Sequence, residues 1–353
     1  MTSNKKKSVE RRKRSSGRVQ IRDVARLAGV SAITVSRYLN EPEKVAEKTC
    51  LKITEAIDEM GYIPNMMAKG LSSNRTNVVA AIIPTITNSI FADHISGLSN
   101  ELEENGHCLL ISESGYSLER EADLIQTVLA HRPAGIVVTG QVHTDRGAQL
   151  LRSNDIPVVE SLEIGADPID MGVGVSNFDA SFQMVKGLVD AGYRKIGFVS
   201  APIAANDRAT RRREGYLAAM NSAGLEITPG WVREAKFAFS EGARTMGEFI
   251  EQNAELEVIF FASDILSIGG VMECRRRGIA VPEEIGVCGF DDLELTAMTD
   301  PPLTTVRIPR YEIGRKAAAM ILARQAGEND VERIADLEFE VVWRNSTRLP
   351  SES

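Results

Sequence analysis

Long apolar runs are scarce in this 353-residue sequence, and none approaches the roughly 18 to 20 residues that a membrane-spanning helix needs. The N-terminus is basic, but no apolar segment of the kind found in secretory leaders follows it. We therefore expect a chain that stays in the cytoplasm and has no membrane partner.

Cysteine pairs and metal-ligand spacings are also lacking. None of the four cysteines lies at a Cys-x-x-Cys spacing, and the four histidines are scattered. Isolated thiols in a cytoplasmic protein are usually reduced and packed, so we expect neither a disulfide framework nor a metal site.

Enzyme signatures are absent as well. The sequence contains no Walker loop, no Gly-x-Gly-x-x-Gly that opens a helix after a strand, and no Gly-x-Ser-x-Gly elbow. Asp291 and Asp292 directly follow an apolar run; such a pair can bind metal or serve acid/base chemistry, but it is also common in loops. We expect a protein that is not an enzyme and that needs no cofactor.

Charge is distributed unevenly along the chain. Residues 1–75 contain 16 Lys and Arg against 8 Asp and Glu, whereas the remainder contains 25 against 41. A basic segment on an acidic body indicates a polyanion-binding module joined to a separate domain, although a solvated basic tail has the same composition. Residues 1–18 hold few apolar side chains and should be disordered, either attracting phosphates or serving as an idle leader.

The segment after this tail has the pattern of two short helices joined by a tight turn. Gly29 supplies the turn, and Ser31 is a suitable N-cap for a second helix that runs through Asn40 and faces inward with Val35 and Leu39. A third helix is predicted over about 47–60. The pattern favours a helix-turn-helix, with a generic three-helix bundle as the alternative. The first helix has its apolar face at Ile21, Val24, Ala25 and Ala28.

The outer face of the second helix is the candidate DNA-reading surface, because this helix enters the major groove in such motifs. Arg37 can pair with guanine, and Ile33 or Ala32 can touch a thymine methyl group. The remaining candidates for phosphate or base contacts are Ser31, Thr34, Ser36 and Asn40.

The runs IRDVARLAGVS (21–31), TVSRYLN (34–40) and GYIPN (61–65) resemble the DNA-binding signature of the lactose/galactose-repressor family. The resemblance implies a headpiece over 19–64 and a hinge helix and linker over 65–76, in which Asn65 and Ala68 contact DNA and Leu71 wedges into the minor groove. Ala46 and Cys50 stand where the family often has Ser and Arg, so one phosphate or capping contact and one further phosphate contact of the family are not expected here.

From Val78 onward, short apolar runs alternate with helical segments, which predicts two doubly wound parallel-sheet lobes with ligands at the carboxyl ends of the strands. The fold class is thus an all-α headpiece plus an α/β sensor. Seven strands are predicted: Val78–Pro84, Cys108–Ser112, Gly135–Gly140, Pro157–Ser161, Lys195–Ser200, Val258–Ser263 and Ile285–Phe290.

The runs VPEEIGVCGFDD (281–292) and PPLTTV (301–306) resemble the sensor domain of the same family, which is similar to periplasmic sugar-binding proteins. The resemblance implies an effector-binding and dimerisation domain over 77–350. Its first lobe would take about 77–176 and 308–337, and its second about 177–307 and 338–350. The effector residues that it implies are Asn88, Phe91, Glu160, Arg212, Phe237, Ser263, Asp291 and Arg310.

The arginines in this set suit an anionic ligand, although most arginines of the run 208–213 would also fit a solvated helix face. The segments PVVE (157–160) and IDMGVG (169–174) resemble the gluconate-repressor branch of the family. We therefore expect a homodimeric repressor that binds operator DNA and is released by a sugar acid such as gluconate. A stand-alone sugar-binding protein and an enzyme on the same α/β fold are the alternatives.

Overall fold

The computed structural model describes residues 19–62, 76–252, 255–328 and 330–350. The chain divides after Thr76 into two compact units. Within the described ranges, no helix is long and apolar enough to cross a membrane.

The first unit is a three-helix headpiece. Gly29 adopts a left-handed conformation (φ 68°), and the Ser31 side chain accepts a hydrogen bond from the Thr34 backbone N–H at 3.0 Å. The N-cap at Ala46 has no side-chain hydrogen bond. Val24, Val35 and Ile53 are fully buried at the centre of the core. Its helices are α1 (Ile21–Ala28), α2 (Ala32–Asn40) and α3 (Glu47–Met60), with a 3-10 turn at Pro42–Lys44 between the last two.

The second unit contains two parallel sheets. The first lobe is built on six strands in the order β11-β5-β4-β3-β1-β2, and the second lobe on four in the order β7-β6-β8-β9. Strands β10 and β12 form a separate antiparallel pair. The first lobe's strands are β1 (Val78–Ile83), β2 (Cys108–Glu113), β3 (Gly135–Thr139), β4 (Val158–Ser161), β5 (Met171–Gly174) and β11 (Ile334–Asp336). The others are β6 (Ile196–Ser200), β7 (Val232–Glu234), β8 (Val258–Phe261), β9 (Gly286–Cys288), β10 (Thr305–Arg307) and β12 (Glu340–Val342).

Helices cover both faces of these sheets. Alternate residues of β1 belong to different hydrophobic clusters, with Val79 and Ala81 in one and Ala80 and Ile82 in the other. A strand buried on both faces reads as a continuous apolar run, which explains why these strands were predictable. The helices are α4 (Ile90–Glu104), α5 (Leu118–Ala130), α6 (Asp145–Arg152), α7 (Asn177–Asp190), α8 (Asp207–Ser222), α9 (Phe239–Glu251), α10 (Asp264–Arg277) and α11 (Arg310–Gln325), and Glu294–Ala297 forms a 3-10 turn.

The predicted fold class is confirmed: a helical headpiece is followed by two parallel-sheet α/β lobes. All seven predicted strands are present, with ends shifted by up to two residues.

Candidate functional site

The exposed face of α2 in the headpiece presents two of the predicted DNA-reading side chains. Ile33 is 73% exposed, and Arg37, one turn later, is also exposed. Because residues four apart lie on the same face of a helix, the two project together. An exposed isoleucine beside an exposed arginine suits a groove that offers thymine methyl groups and guanine acceptors.

The other predicted DNA contacts on α2 are placed differently. Ala32 is half-buried and packs against the headpiece core. The hydroxyls of Ser31 and Thr34 lie 2.8 Å apart, so both take part in capping the helix. Ser36 is half-buried on the same helix. The side chain of Asn40 lies outside the described residues, as do residues 1–18 and the hinge positions Asn65, Ala68 and Leu71.

A cavity of about 450 Å³ opens between the two lobes of the second unit. Its walls follow the carboxyl ends of β1 and β2 on one side and of β6 and β7 on the other, where ligands bind in open α/β sheets. Asn88 and Phe237, both predicted effector residues, line it. Lys236 and Glu113 add one charge of each sign to the lining.

Tyr116 is a cavity residue that the sequence analysis missed. Its ring stacks on Phe237 from the opposite lobe, with the ring centroids 5.7 Å apart. The Tyr116 backbone has φ 59°, a left-handed conformation that is unfavourable for a tyrosine. Burial raises the pKa of Tyr116. Its position in the loop after a predicted strand was the available signal, and Lys236 gave none because β7 was not predicted.

A buried polar cluster beside the cavity unites three of the predicted effector residues. The Arg212 guanidinium donates to Asn177 Oδ1 and to the Ala262 carbonyl, both at 2.7 Å, and lies 3.6 Å from Asp291 Oδ1. Ser263 Oγ lies 3.5 Å from Asp291 Oδ2. Burial lowers the pKa of Arg212 and raises that of Asp291, although each charge opposes the shift of the other.

Arg310 links the two lobes. Its guanidinium donates to the Asp291 backbone carbonyl in the second lobe and to Asp93 Oδ2 of α4, in the first lobe, at 2.8 Å. Arg212 and Arg310 therefore already have acceptors within the protein, and each would have to share its donors with an effector.

The structure places two predicted effector residues elsewhere. Phe91 is 1% exposed within the hydrophobic core and is not part of the cavity lining. Glu160 accepts hydrogen bonds from His143 Nε2 at 3.1 Å and from the Ile169 backbone N–H at 2.6 Å, and it does not line the cavity. His143 also contacts Glu121 Oε1 at 2.6 Å. Burial would lower the pKa of His143, but its two carboxylate partners raise it to about 9.

Among the described residues, no group of three His, Cys, Asp or Glu side chains is arranged to hold a metal ion. Asp291 and Asp292 diverge: Asp291 faces Arg212, whereas Asp292 pairs with Arg307 and Arg344, each at 2.7 Å. The pair therefore does not act as a joint carboxylate site.

Comparison with known proteins identifies the family of both units. Residues 20–65 match the family described as bacterial regulatory proteins, lacI family, and residues 185–347 match the periplasmic binding protein-like domain. The transcriptional regulator GntR of Pseudomonas aeruginosa is 34% identical over 95% of this chain and 97% of its own length. The regulator IdnR of Escherichia coli K12 is 32% identical over 93% of this chain and 98% of its own.

The chain belongs to the LacI family of bacterial regulatory proteins.

Solved structures of LacI-family members agree with the fold. A LacI-family transcriptional regulator from Silicibacter pomeroyi superposes with a TM-score of 0.87 at 32% identity, over 93% of this chain and 99% of its own. The lac repressor dimer bound to operator and the anti-inducer ONPF superposes with a TM-score of 0.81 at 22% identity, over 94% of this chain and 99% of its own. This chain is thus a DNA-binding transcriptional regulator and not an enzyme.

Proposed function

We propose that this regulator is a homodimeric repressor whose interlobe cavity binds a sugar acid of the gluconate class, and that binding releases the headpieces from operator DNA. The observation that carries the proposal is the cavity itself. It lies between two lobes at the carboxyl ends of their strands, so a ligand that fills it contacts both lobes and favours one relative arrangement of them.

The lining suits a polyhydroxy acid. Lys236 offers a positive charge for a carboxylate, and Asn88 and Glu113 offer donors and acceptors for hydroxyl groups. Phe237 and Tyr116 provide the apolar surface on which the C–H face of a sugar chain can rest. The guanidinium groups of Arg212 and Arg310 pair with Asp291 and Asp93 and supply further hydrogen-bond donors near the cavity.

Isothermal titration with gluconate and with glucose tests the effector class. We expect gluconate to bind at least about tenfold more tightly than glucose, because a charged hydrogen bond contributes roughly 1.5–3 kcal/mol. Lys236→Gln should remove most of this difference, whereas Lys186→Gln, at an exposed α7 position, should retain it. Equal binding of glucose by the unaltered protein would refute the proposed class.

Fluorescence anisotropy of operator DNA tests the direction of the response. Because the coupling between two sites is reciprocal, gluconate should weaken DNA binding by the factor by which DNA weakens gluconate binding, typically about 5- to 150-fold. Tighter DNA binding in the presence of gluconate would make the ligand a co-repressor and contradict release.

A further inference from the structure

A small chamber adjoins the interlobe cavity, and Tyr116 lines both. Its volume is about 10 Å³, which is room for one water-sized group. Glu121, Thr139, Asp207 and Arg208 are among the polar residues that line it. A hydroxyl group fits a space of this size, whereas a carboxylate or a sugar ring does not.

Arg208 brings unused hydrogen-bond donors to this chamber. The residue is 7% exposed, and of the described residues only Asp207 accepts a hydrogen bond from its side chain, at 3.0 Å. A guanidinium has five N–H donors, so most of them have no hydrogen-bond acceptor among the described residues. These donors are free to bind a ligand oxygen in the chamber, and a hydrogen bond from a charged group contributes more than one between neutral groups.

Glu121 brings a fixed acceptor to the same chamber. Its Oε1 contacts His143 Nδ1 at 2.6 Å, while the opposite ring nitrogen contacts Glu160. The side chains of all three residues are at most 8% exposed. Because His143 is protonated and carries a proton on both nitrogens, it donates to both carboxylates and holds Glu121 in one orientation.

We propose that Glu121 is a specificity-determining residue of the effector site, which accepts a hydrogen bond from one effector hydroxyl in the chamber behind Tyr116 while Arg208 donates to the same oxygen. His143 and Glu160 are positioning residues that act through Glu121. This inference rests on the proposed function, since the effector must carry hydroxyl groups into the interlobe cavity. A carboxylate is disfavoured in the chamber because Glu121 and Asp207 both flank it.

Titration of the full chain with gluconate and with its single-position deoxy analogues tests the proposal. In the unaltered protein, one deoxy analogue should bind at least about tenfold more weakly than gluconate. Glu121→Gln should reduce the loss of affinity caused by removing that hydroxyl, here called the penalty, to less than about threefold. The penalties for removing the other hydroxyls should stay unchanged. Glu103→Gln, at an exposed position of α4, should retain the whole pattern.

The positioning role has its own readout. His143→Ala should reduce the same single penalty, and His143→Asn, whose amide can still donate to Glu121, should restore part of it. A uniform loss of affinity for all analogues in His143→Ala would mean a merely structural role. Unchanged penalties in Glu121→Gln would overturn this proposal while leaving the proposed function intact, and the absence of gluconate binding by the unaltered protein would overturn both.

Discussion

At the scale of single residues, burial decides the charge state of Glu163. This side chain is 3% exposed, and its Oε2 has no hydrogen-bond partner among the described residues. Burial, reinforced by the negative charge of Asp207, raises the pKa of Glu163 to about 8, although Asn177 and nearby arginines act in the opposite direction. The carboxyl group is therefore mostly protonated in the folded protein at neutral pH.

This shift predicts how stability depends on pH. Between pH 4.5 and about 8 the folded chain keeps a proton on Glu163 that the unfolded chain has lost, so the free energy of unfolding should fall as the pH rises through this range. Glu163→Gln stays neutral and should weaken the fall. Urea unfolding at several pH values measures the effect.

His143, whose pKa is raised to about 9, also makes the free energy of unfolding fall as the pH rises from 6.5 to 9. The effect of Glu163 must therefore be measured as the difference between Glu163→Gln and the unaltered chain. Glu103→Gln serves again as the exposed control. The assignment to Glu163 fails if Glu163→Gln and the unaltered protein show parallel pH profiles.

Arg37 supports a second prediction at the residue scale. If it pairs with a base, Arg37→Ala should cost about 1–3 kcal/mol at one operator position and relax specificity there. The control is Arg26→Ala on α1, which also removes one positive charge from the headpiece; the Arg26 side chain is 80% exposed. Fluorescence anisotropy with operators that carry single base changes distinguishes a base contact from a phosphate contact. If Arg37→Ala weakens binding equally for all of these operators, Arg37 contacts only phosphate.

At the scale of elements, glycines set how closely the helices pair. In the first lobe, a Cβ on Gly314 of α11 would lie 2.1 Å from the His94 carbonyl oxygen of α4, and a Cβ on Gly97 of α4 would lie 2.1 Å from the Tyr311 carbonyl oxygen of α11. Because the obstacle is backbone, no side chain can move aside. In the second lobe, Gly242 of α9 and Gly269 of α10 each likewise face a backbone carbonyl oxygen of the other helix, which leaves no room for a Cβ.

Gly314→Ala should therefore force α4 and α11 apart and destabilise the second unit by about 1–3 kcal/mol, the usual effect of overpacking. Gly147→Ala on α6 is the control, since the nearest atom that its Cβ would meet is the Thr144 hydroxyl oxygen, a side-chain atom at 3.3 Å. Thermal unfolding of the two variants measures the difference. Equal thermal unfolding midpoints for the two variants would show that α4 and α11 can move apart at little cost in stability.

The length of the apolar run around each strand explains which elements the sequence revealed. The seven predicted strands are mainly apolar runs; six of them are buried almost throughout, and β2, at the edge of its sheet, is partly exposed. The strands missed, β5, β7, β10, β11 and β12, are three or four residues long. Such short segments carry too little pattern to identify, and they become strands because an existing neighbour supplies hydrogen-bond partners, as β5 does for β11 through Gly172 and Ile334.

At the scale of the whole molecule, the division after Thr76 separates opposite charges. Positive charge is concentrated in residues 1–75 and negative charge in the remainder, so the basic segment and the cavity proposed to bind the effector belong to different compact units.

This separation predicts that a chain starting at Asn77 should lose retention on DNA or heparin columns and still be stabilised by gluconate. At 100 times its dissociation constant, a ligand adds about 2.7 kcal/mol to the free energy of unfolding. The full chain should elute from the same columns at a salt-dependent position, because phosphate binding releases counterions. Salt-dependent retention by the shortened chain would place DNA binding in the second unit as well.

The sequence by itself determined the headpiece, the parallel-sheet fold and the family, because capping residues, helical spacing and continuous apolar strands are local signals. Only the tertiary structure decided how the charged side chains are used. Arg310 meets Asp93 across 217 residues of sequence, Glu160 holds His143 instead of lining the cavity, and Tyr116 stacks on Phe237 from the other lobe. Partners drawn from separate segments leave no periodic trace, since only the tertiary packing of those segments brings the side chains together.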